Sequence, residues 1–294
     1  MAMTPAAEVD IDESLVESLL SDQHPDLVGG EVRLLSNGWD NALFRLGEDL
    51  VVRLPRRQAA AQLVEHEAQW LPIVSDLLPI ATPVPVRTGR PSWRYPWSWT
   101  VSPWIEGGSA LGLSPSERGP LARPLAGALA ALHVTAPSGA PHNPVRAVDL
   151  RSRDAAVRGR LTASASPASP ALESLWSELV DARAWTREPV WVHGDPHPGN
   201  VLVRDGRLAA LIDFGDLSAG DPATDLAAAW LFFEPDARDD FRDAADAAGR
   251  YDAADWVRAR AWALVLGSAL AAHSDDDPAM AALAAHTLTQ VALG

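Results

Sequence analysis

The chain has 294 residues, 47% of them hydrophobic and 21% charged, a balance that excludes bulk disorder and allows one large domain or two ordinary ones. A chain of this size buries roughly three quarters of its extended surface without a disulfide or metal staple. It has no cysteine, and all 24 of its Lys-plus-Arg positions are arginine, which excludes thiol nucleophiles, zinc–thiolate and iron–sulfur centres, Walker A lysines and Schiff-base chemistry together. The net charge of −15 disfavours nucleic acid and anionic membrane as partners and suits neutral or cationic ones.

In chain order, the acidic start Met1–Asp12 lacks the basic and apolar regions of a signal peptide. Residues 12–21 have helical spacing through Leu15, Val16, Leu19 and Leu20. A β-meander is predicted next: Val32–Leu35, a turn at Ser36-Asn37-Gly38, Ala42–Leu46, a turn at Gly47-Glu48-Asp49, then Leu50–Leu54. Residues 58–71 return to helical spacing, and Trp97–Ile105 alternates as a strand. Leu121–His133 is a compact apolar helix, and residues 135–170 read as a loop-dominated insertion or short helices. Val190–His193 and Leu208–Ile212 are short buried strands, and everything after about Thr224 is helical. The longest apolar stretch, Ala261–Ala272, is too short to span a bilayer, so a cytoplasmic location is expected. A sheet-rich part followed by a helical part predicts an α+β fold with a cleft between two lobes, residues 1–105 and 106–294. Oligomeric state is not readable.

One segment carries chemistry: His193-Gly194-Asp195-Pro196-His197-Pro198-Gly199-Asn200, followed by Ile212-Asp213-Phe214-Gly215-Asp216. Asp195 lies past one apolar strand on a proline-stiffened loop, Asn200 offers an amide oxygen, and Asp213 ends a second apolar strand. Two carboxylates and one amide oxygen make a hard oxygen site suited to Mg²⁺, and phosphoryl transfer needs such a site plus a separate carboxylate for the acceptor hydroxyl. The alternation of His193, Asp195 and His197 leaves a zinc-dependent hydrolase open as another reading, and a catalytically silent nucleotide-binding regulator is a third.

The ordered set resembles the aminoglycoside phosphotransferase family, relatives of the protein kinases. Asn41-Ala42-Leu43-Phe44-Arg45-Leu46, Val51-Val52-Arg53-Leu54-Pro55, Glu65-His66-Glu67 and Gly220-Asp221-Pro222-Ala223-Thr224-Asp225-Leu226 fall in the family's order, over residues 28–232. The resemblance implies a kinase-like two-lobed fold, with an antiparallel-sheet lobe that binds nucleotide and a helical lobe that holds catalytic loop and acceptor. Asp195 would accept the proton of the acceptor hydroxyl, while Asn200 and Asp213 would hold Mg²⁺ against the phosphates of ATP or GTP. The turn from Ser36 through Gly38 to Asn41 would cover the phosphates, Arg53 would contact them, and Glu67 would pair with Arg53. Ser102 C=O and Trp104 N–H would bind the base at a hinge. The acceptor would be a small molecule such as an aminoglycoside-like antibiotic or a metabolite, with a cationic one suited to the net charge. Arg53 in place of lysine, a single glycine in the phosphate turn and Pro196 after Asp195 depart from the usual pattern. His193 reads as a structural imidazole, His197 as a solvent-facing loop residue, and Asp221 and Asp225 as caps or loop braces. Glu234, Asp236, Asp239 and Asp240 read as a solvated acidic face.

Overall fold

The computed structural model describes residues 5–163, 169–274 and 276–294. Asp12 caps α1 (Glu13–Gln23) by accepting from the Leu15 N–H at 2.8 Å, and the helix buries Val16, Leu19 and Leu20. Strands β1 (Val32–Asn37), β2 (Asn41–Leu46) and β3 (Leu50–Pro55) form the meander, and α2 (Gln58–Val74) follows. With β4 (Arg87–Gly89) and β5 (Trp99–Pro103) they make an antiparallel sheet in the order β1-β2-β3-β5-β4. Alternation along β2 and β3 puts Ala42, Phe44, Leu46, Val52 and Leu54 on a core face with α1, Tyr95, Trp97 and Trp99. It leaves Leu43, Arg45, Val51 and Arg53 on the other face.

The second lobe begins with β6 (Gly108–Ser109) and the apolar helix α3 (Ala122–Leu132). Residues 135–170, read as an insertion, contain α4 (Asp154–Ala163) and the start of α5 (Ser169–Leu179); residues 164–168 lie outside the described part. Strands β7 (Val190–Val192), β8 (Val201–Arg204), β9 (Arg207–Leu211) and β10 (Ser218–Gly220) follow. The two predicted strands here correspond to β7 and β9. Strands β8 and β10, too short to show a period, pair with them antiparallel. Short helices α6 (Ala223–Leu226) and α7 (Ala228–Phe232) precede α8 (Pro235–Asp246), α9 (Ala253–His273) and α10 (Pro278–Leu293). Helix α9 is buried over most of its length because α4, α5, α6 and α10 pack around it, and a reciprocal capping box between Asp252 and Asp255 fixes its start. Its neighbours form a second core, centred on Trp176, Phe232, Phe241 and Trp262. Among the described residues no helix is long and apolar enough to cross a membrane. The architecture is α+β: an antiparallel-sheet lobe followed by a mainly helical lobe.

Candidate active site

The catalytic loop is placed by one buried carboxylate. Asp225, at the end of the Gly220–Leu226 motif, accepts from the N–H groups of His193 and Gly194 at 2.7 and 2.8 Å. His133 Nε2 lies 3.0 Å from the same carboxylate, and Tyr251 donates its hydroxyl to His133 Nδ1 at 2.7 Å. Asp225 is fully enclosed, so these contacts replace the water it lost. Gly194 has φ +90° and sits against Asp216, whose carbonyl oxygen would lie 2.6 Å from an added Cβ. His193 donates from Nε2 to the Ile212 carbonyl at 3.0 Å, accepts from the Asp195 N–H on Nδ1 at 3.3 Å, and packs edge-on against Phe214.

Asp195 then emerges at the lobe boundary. His197 Nε2 lies 3.4 Å from its Oδ2, and Arg146 Nη2 lies 3.6 Å from its Oδ1. Burial alone would raise the Asp195 pKa, but the charge and hydrogen bond of His197, then the charge of Arg146, hold it well below the usual carboxylate range. Burial likewise opposes the charge on His197, and its pairing with Asp195 outweighs that and raises the imidazole pKa. His197 is thus buried and paired, not solvent-facing, with its Nδ1 also accepting from the Gly199 N–H at 2.9 Å. Asn200 donates from Nδ2 to the Asp195 carbonyl at 2.9 Å, which leaves its amide oxygen for another partner.

Asn200 directly precedes β8, and its carbonyl accepts from the Ile212 N–H at 2.9 Å, so the β8–β9 hairpin sets Asp213 beside it. Asp213 has φ +60°, a left-handed turn that aspartate tolerates better than most residues. Its carboxylate is half exposed, and Oδ1 accepts from Arg53 Nη2 at 2.8 Å. Arg53 also donates from Nη1 to Glu67 Oε2 at 2.5 Å, inside a pocket where their side chains are 12% and 5% exposed. Glu67 and Asp213 raise the Arg53 pKa against the desolvation that opposes it, so the guanidinium stays charged. Burial pushes the Glu67 carboxyl up. Asn41, oriented with its amide oxygen toward Arg53, accepts from Nε and Nη2 at 3.0 and 2.8 Å. It was expected in the turn over the phosphates, but it is buried at the start of β2 and braces Arg53.

Within that turn Ser36 is an exposed β1 residue, and Gly38 closes the hairpin by donating its N–H to the Asn41 carbonyl at 2.9 Å. Trp39 at its tip is 42% exposed and stands 5.8 Å, ring centre to ring centre, from His273 at the end of α9, so the turn reaches the second lobe.

The two groups expected at the hinge, Ser102 C=O and Trp104 N–H, face the neighbouring strand. Trp104 donates its N–H to the Asp49 carbonyl at 2.7 Å and Ser102 pairs with Val51, so both point into the sheet toward β3. Val101, of opposite parity, accepts from the Val86 N–H on the other edge. Strand parity therefore turns Pro103 C=O, and not Ser102 C=O or Trp104 N–H, away from β3. Trp104 instead stacks under Arg45, whose guanidinium carbon lies 3.9 Å from the ring centroid.

The zinc-hydrolase reading fails on this geometry, because both ring nitrogens of His193 are already engaged. Among the described residues no group of three or more His, Asp or Glu is arranged around a metal position. The donors that remain, the Asn200 amide oxygen and the Asp213 carboxylate, are hard oxygens. They fit Mg²⁺, which takes few protein ligands and completes its shell with water and phosphate.

Residues 31–262 match the phosphotransferase enzyme family, APH. The chain belongs to that family. No curated protein matches it in sequence, but solved structures do. The GDP and kanamycin complex of APH(2″)-IIia superposes with a TM-score of 0.67 at 18% identity, over 94% of this chain and 97% of that one. The streptomycin–ATP–APH(2″)-IIa ternary complex gives 0.59 at 20% identity, covering 87% and 90%. The macrolide 2′-phosphotransferase MphH from Brachybacterium faecium gives 0.64 at 21%, covering 94% and 97%. The APH chain described here is a phosphotransferase with the kinase-like fold of these enzymes. Two features of its site escaped the sequence. Arg146 and Asn143 come from a stretch without periodicity, and the burial of His197 depends on the fold around it.

Proposed function

We propose that this enzyme transfers the γ-phosphoryl group of ATP or GTP to a hydroxyl of a small molecule, an antibiotic or a metabolite, in the cytoplasm. The supporting observation is the hydrogen-bonded chain from Asp195 through Asn200 and the Ile212 N–H to Asp213, Arg53 and Glu67. Residues 1–105 form the nucleotide lobe, with the Ser36–Gly38 turn over the phosphates and the hinge at Pro103 holding the base. Residues 106–294 supply the catalytic loop and the acceptor site. Asp195, held ionised by its cationic neighbours, accepts a hydrogen bond from the acceptor hydroxyl, orients its lone pair and takes its proton as the new P–O bond forms and the bond from the γ-phosphorus to the bridging oxygen breaks, releasing ADP or GDP. Arg53, fixed from three sides, presents its charge to the nucleotide phosphates without a reorganisation cost. Asn200 and Asp213 would hold Mg²⁺, which when bound would neutralise charge on the phosphate oxygens.

Asp195→Asn is expected to leave Mg²⁺-nucleotide affinity within about twofold and to lower kcat by roughly 10²–10⁴. Asp213→Ala is expected to abolish the metal-dependent part of nucleotide binding. Calorimetry with ATP and GTP, and an acceptor screen read by phosphoryl mass gain, check both. Equal loss of nucleotide binding in the two variants would contradict these roles. Nucleotide binding without transfer to any acceptor would favour the regulator reading.

A further inference from the structure

The β1–β2 turn is held more firmly than a hairpin needs. Its own closure is complete, since Gly38 donates to the Asn41 carbonyl. The chain just after β3 grips it as well. Arg56 donates its main-chain N–H to the Asp40 carbonyl at 2.8 Å and Nη1 to the Gly38 carbonyl at 2.6 Å, and Arg57 Nη2 pairs with Asp40 Oδ1 at 2.5 Å. Ser36, Asn37, Gly38 and Asp40 are residue types that turns favour. Trp39 is not one of them, and it belongs to neither hydrophobic core. Its partner lies outside the hairpin: the indole leans on the imidazole of His273, the last residue of α9, with 5.8 Å between ring centres and 59° between ring planes.

The position of this contact gives it leverage. The β2–β3 turn, at the opposite end of the meander, lies against the segment that joins the lobes, where Trp104 donates to the Asp49 carbonyl. Strands β1 and β2 have six residues each, so the Trp39 tip stands about 20 Å from that joint. A swing of one lobe away from the other about the joint therefore parts Trp39 from His273, because α9 is packed among four other helices and does not follow the turn. Arg53 and Asp213 also pair across the cleft, but the proposed function engages both with phosphate and metal. Trp39 and His273 carry no such duty.

We propose that Trp39 and His273 are positioning residues that latch the two lobes together, keep the turn over the nucleotide phosphates during transfer, and part before the product nucleotide leaves. This rests on the reading of the turn as the cover of the phosphates. An aromatic pair shifts an equilibrium by about 2- to 12-fold. That is enough to set the lifetime of the closed state while still letting product out.

Dissociation of fluorescent ADP and GDP analogues, followed by stopped flow on the full chain with Mg²⁺, tests the latch. Trp39→Ala and His273→Ala are each expected to speed dissociation by about 3- to 10-fold, and Trp39→Phe to keep most of the wild-type rate. The double variant is expected to be no faster than the faster single one, because either substitution alone removes the same contact. Both side chains are exposed, so melting temperatures should stay within about 3 °C of the wild type. His273→Gln, which removes the aromatic ring and keeps a polar group, takes the place of His273→Ala if that variant is unstable. An unchanged rate in either single variant, effects that multiply in the double variant, or no rescue by Trp39→Phe overturns the proposal. A wild-type chain that binds neither analogue would instead remove the phosphotransfer reading, which separates the two failures.

Discussion

Arg53 shows how much of the site depends on one side chain's shape. Its planar fork reaches Glu67 through Nη1 and Asp213 through Nη2, while Asn41 takes Nε and a share of Nη2. A lysine ammonium has the charge but not the three fixed directions. Arg53→Lys is expected to leave at least one partner poorly bonded, to weaken Mg²⁺-nucleotide binding and to lower kcat/KM by about 10- to 100-fold, or ~1.4–2.7 kcal/mol of transition-state binding. Steady-state kinetics check this, and an unchanged kcat/KM would mean that the fork geometry is not used. Asp195 is the other informative residue. Burial opposes its ionisation, yet His197 and Arg146 keep it charged, as the proposed role of proton acceptor requires.

At the scale of elements, the site is a set of strand ends held by buried polar groups. Strand β7 delivers His193 and Gly194 onto Asp225, and the β8–β9 hairpin delivers Asn200 and Asp213 side by side. The turn at Gly194 tolerates no side chain, because φ is +90° and an added Cβ would meet the Asp216 carbonyl at 2.6 Å. Gly194→Ala is therefore expected to destabilise the fold by about 2–4 kcal/mol, from backbone strain and the clash together. It should also displace Asp195, so activity should fall by more than the folded fraction does. Denaturant unfolding combined with turnover per folded molecule measures both. A loss below about 1 kcal/mol would show that the turn relaxes at little cost.

For the whole molecule, stability against pH is expected to depend in part on a residue outside the catalytic loop. His286 on α10 has a buried, unpartnered Nε2, and burial, with the charges of Arg118 and Arg238, pushes its pKa down from 6.5 to about 4. The unfolded chain takes up a proton at this residue below about 6.5, and the folded chain does not until about 4. Stability should thus rise with pH across that window and fall on acidification through it. The side chain is partly exposed, so the contribution after solvent screening is about 1–2 kcal/mol. His286→Gln should flatten the difference in melting temperature between pH 4.5 and 7 relative to the wild type. Parallel curves for the two proteins would show that this residue is not the source.

The sequence by itself determined the ingredients: the meander and its core face, the two helix-rich stretches, and the ordered motifs from Asn41 to Leu226. These follow from local patterning and from residue types that few other arrangements use. It also carried Asp195, Asn200 and Asp213, because strand, turn and spacing are all visible over a short range. The tertiary structure decided what depends on distant neighbours. Ser102 and Trp104 face β3 because parity along β5 is set by its pairing with β3 and β4. Asn41 turned inward because Arg53 lies across the hairpin from it. Arg146 reached Asp195 from a stretch with no period because Asn143 and Asp216 clamp its loop. Pairing register and the approach of remote loops are set by packing the whole chain, and no window of sequence holds them.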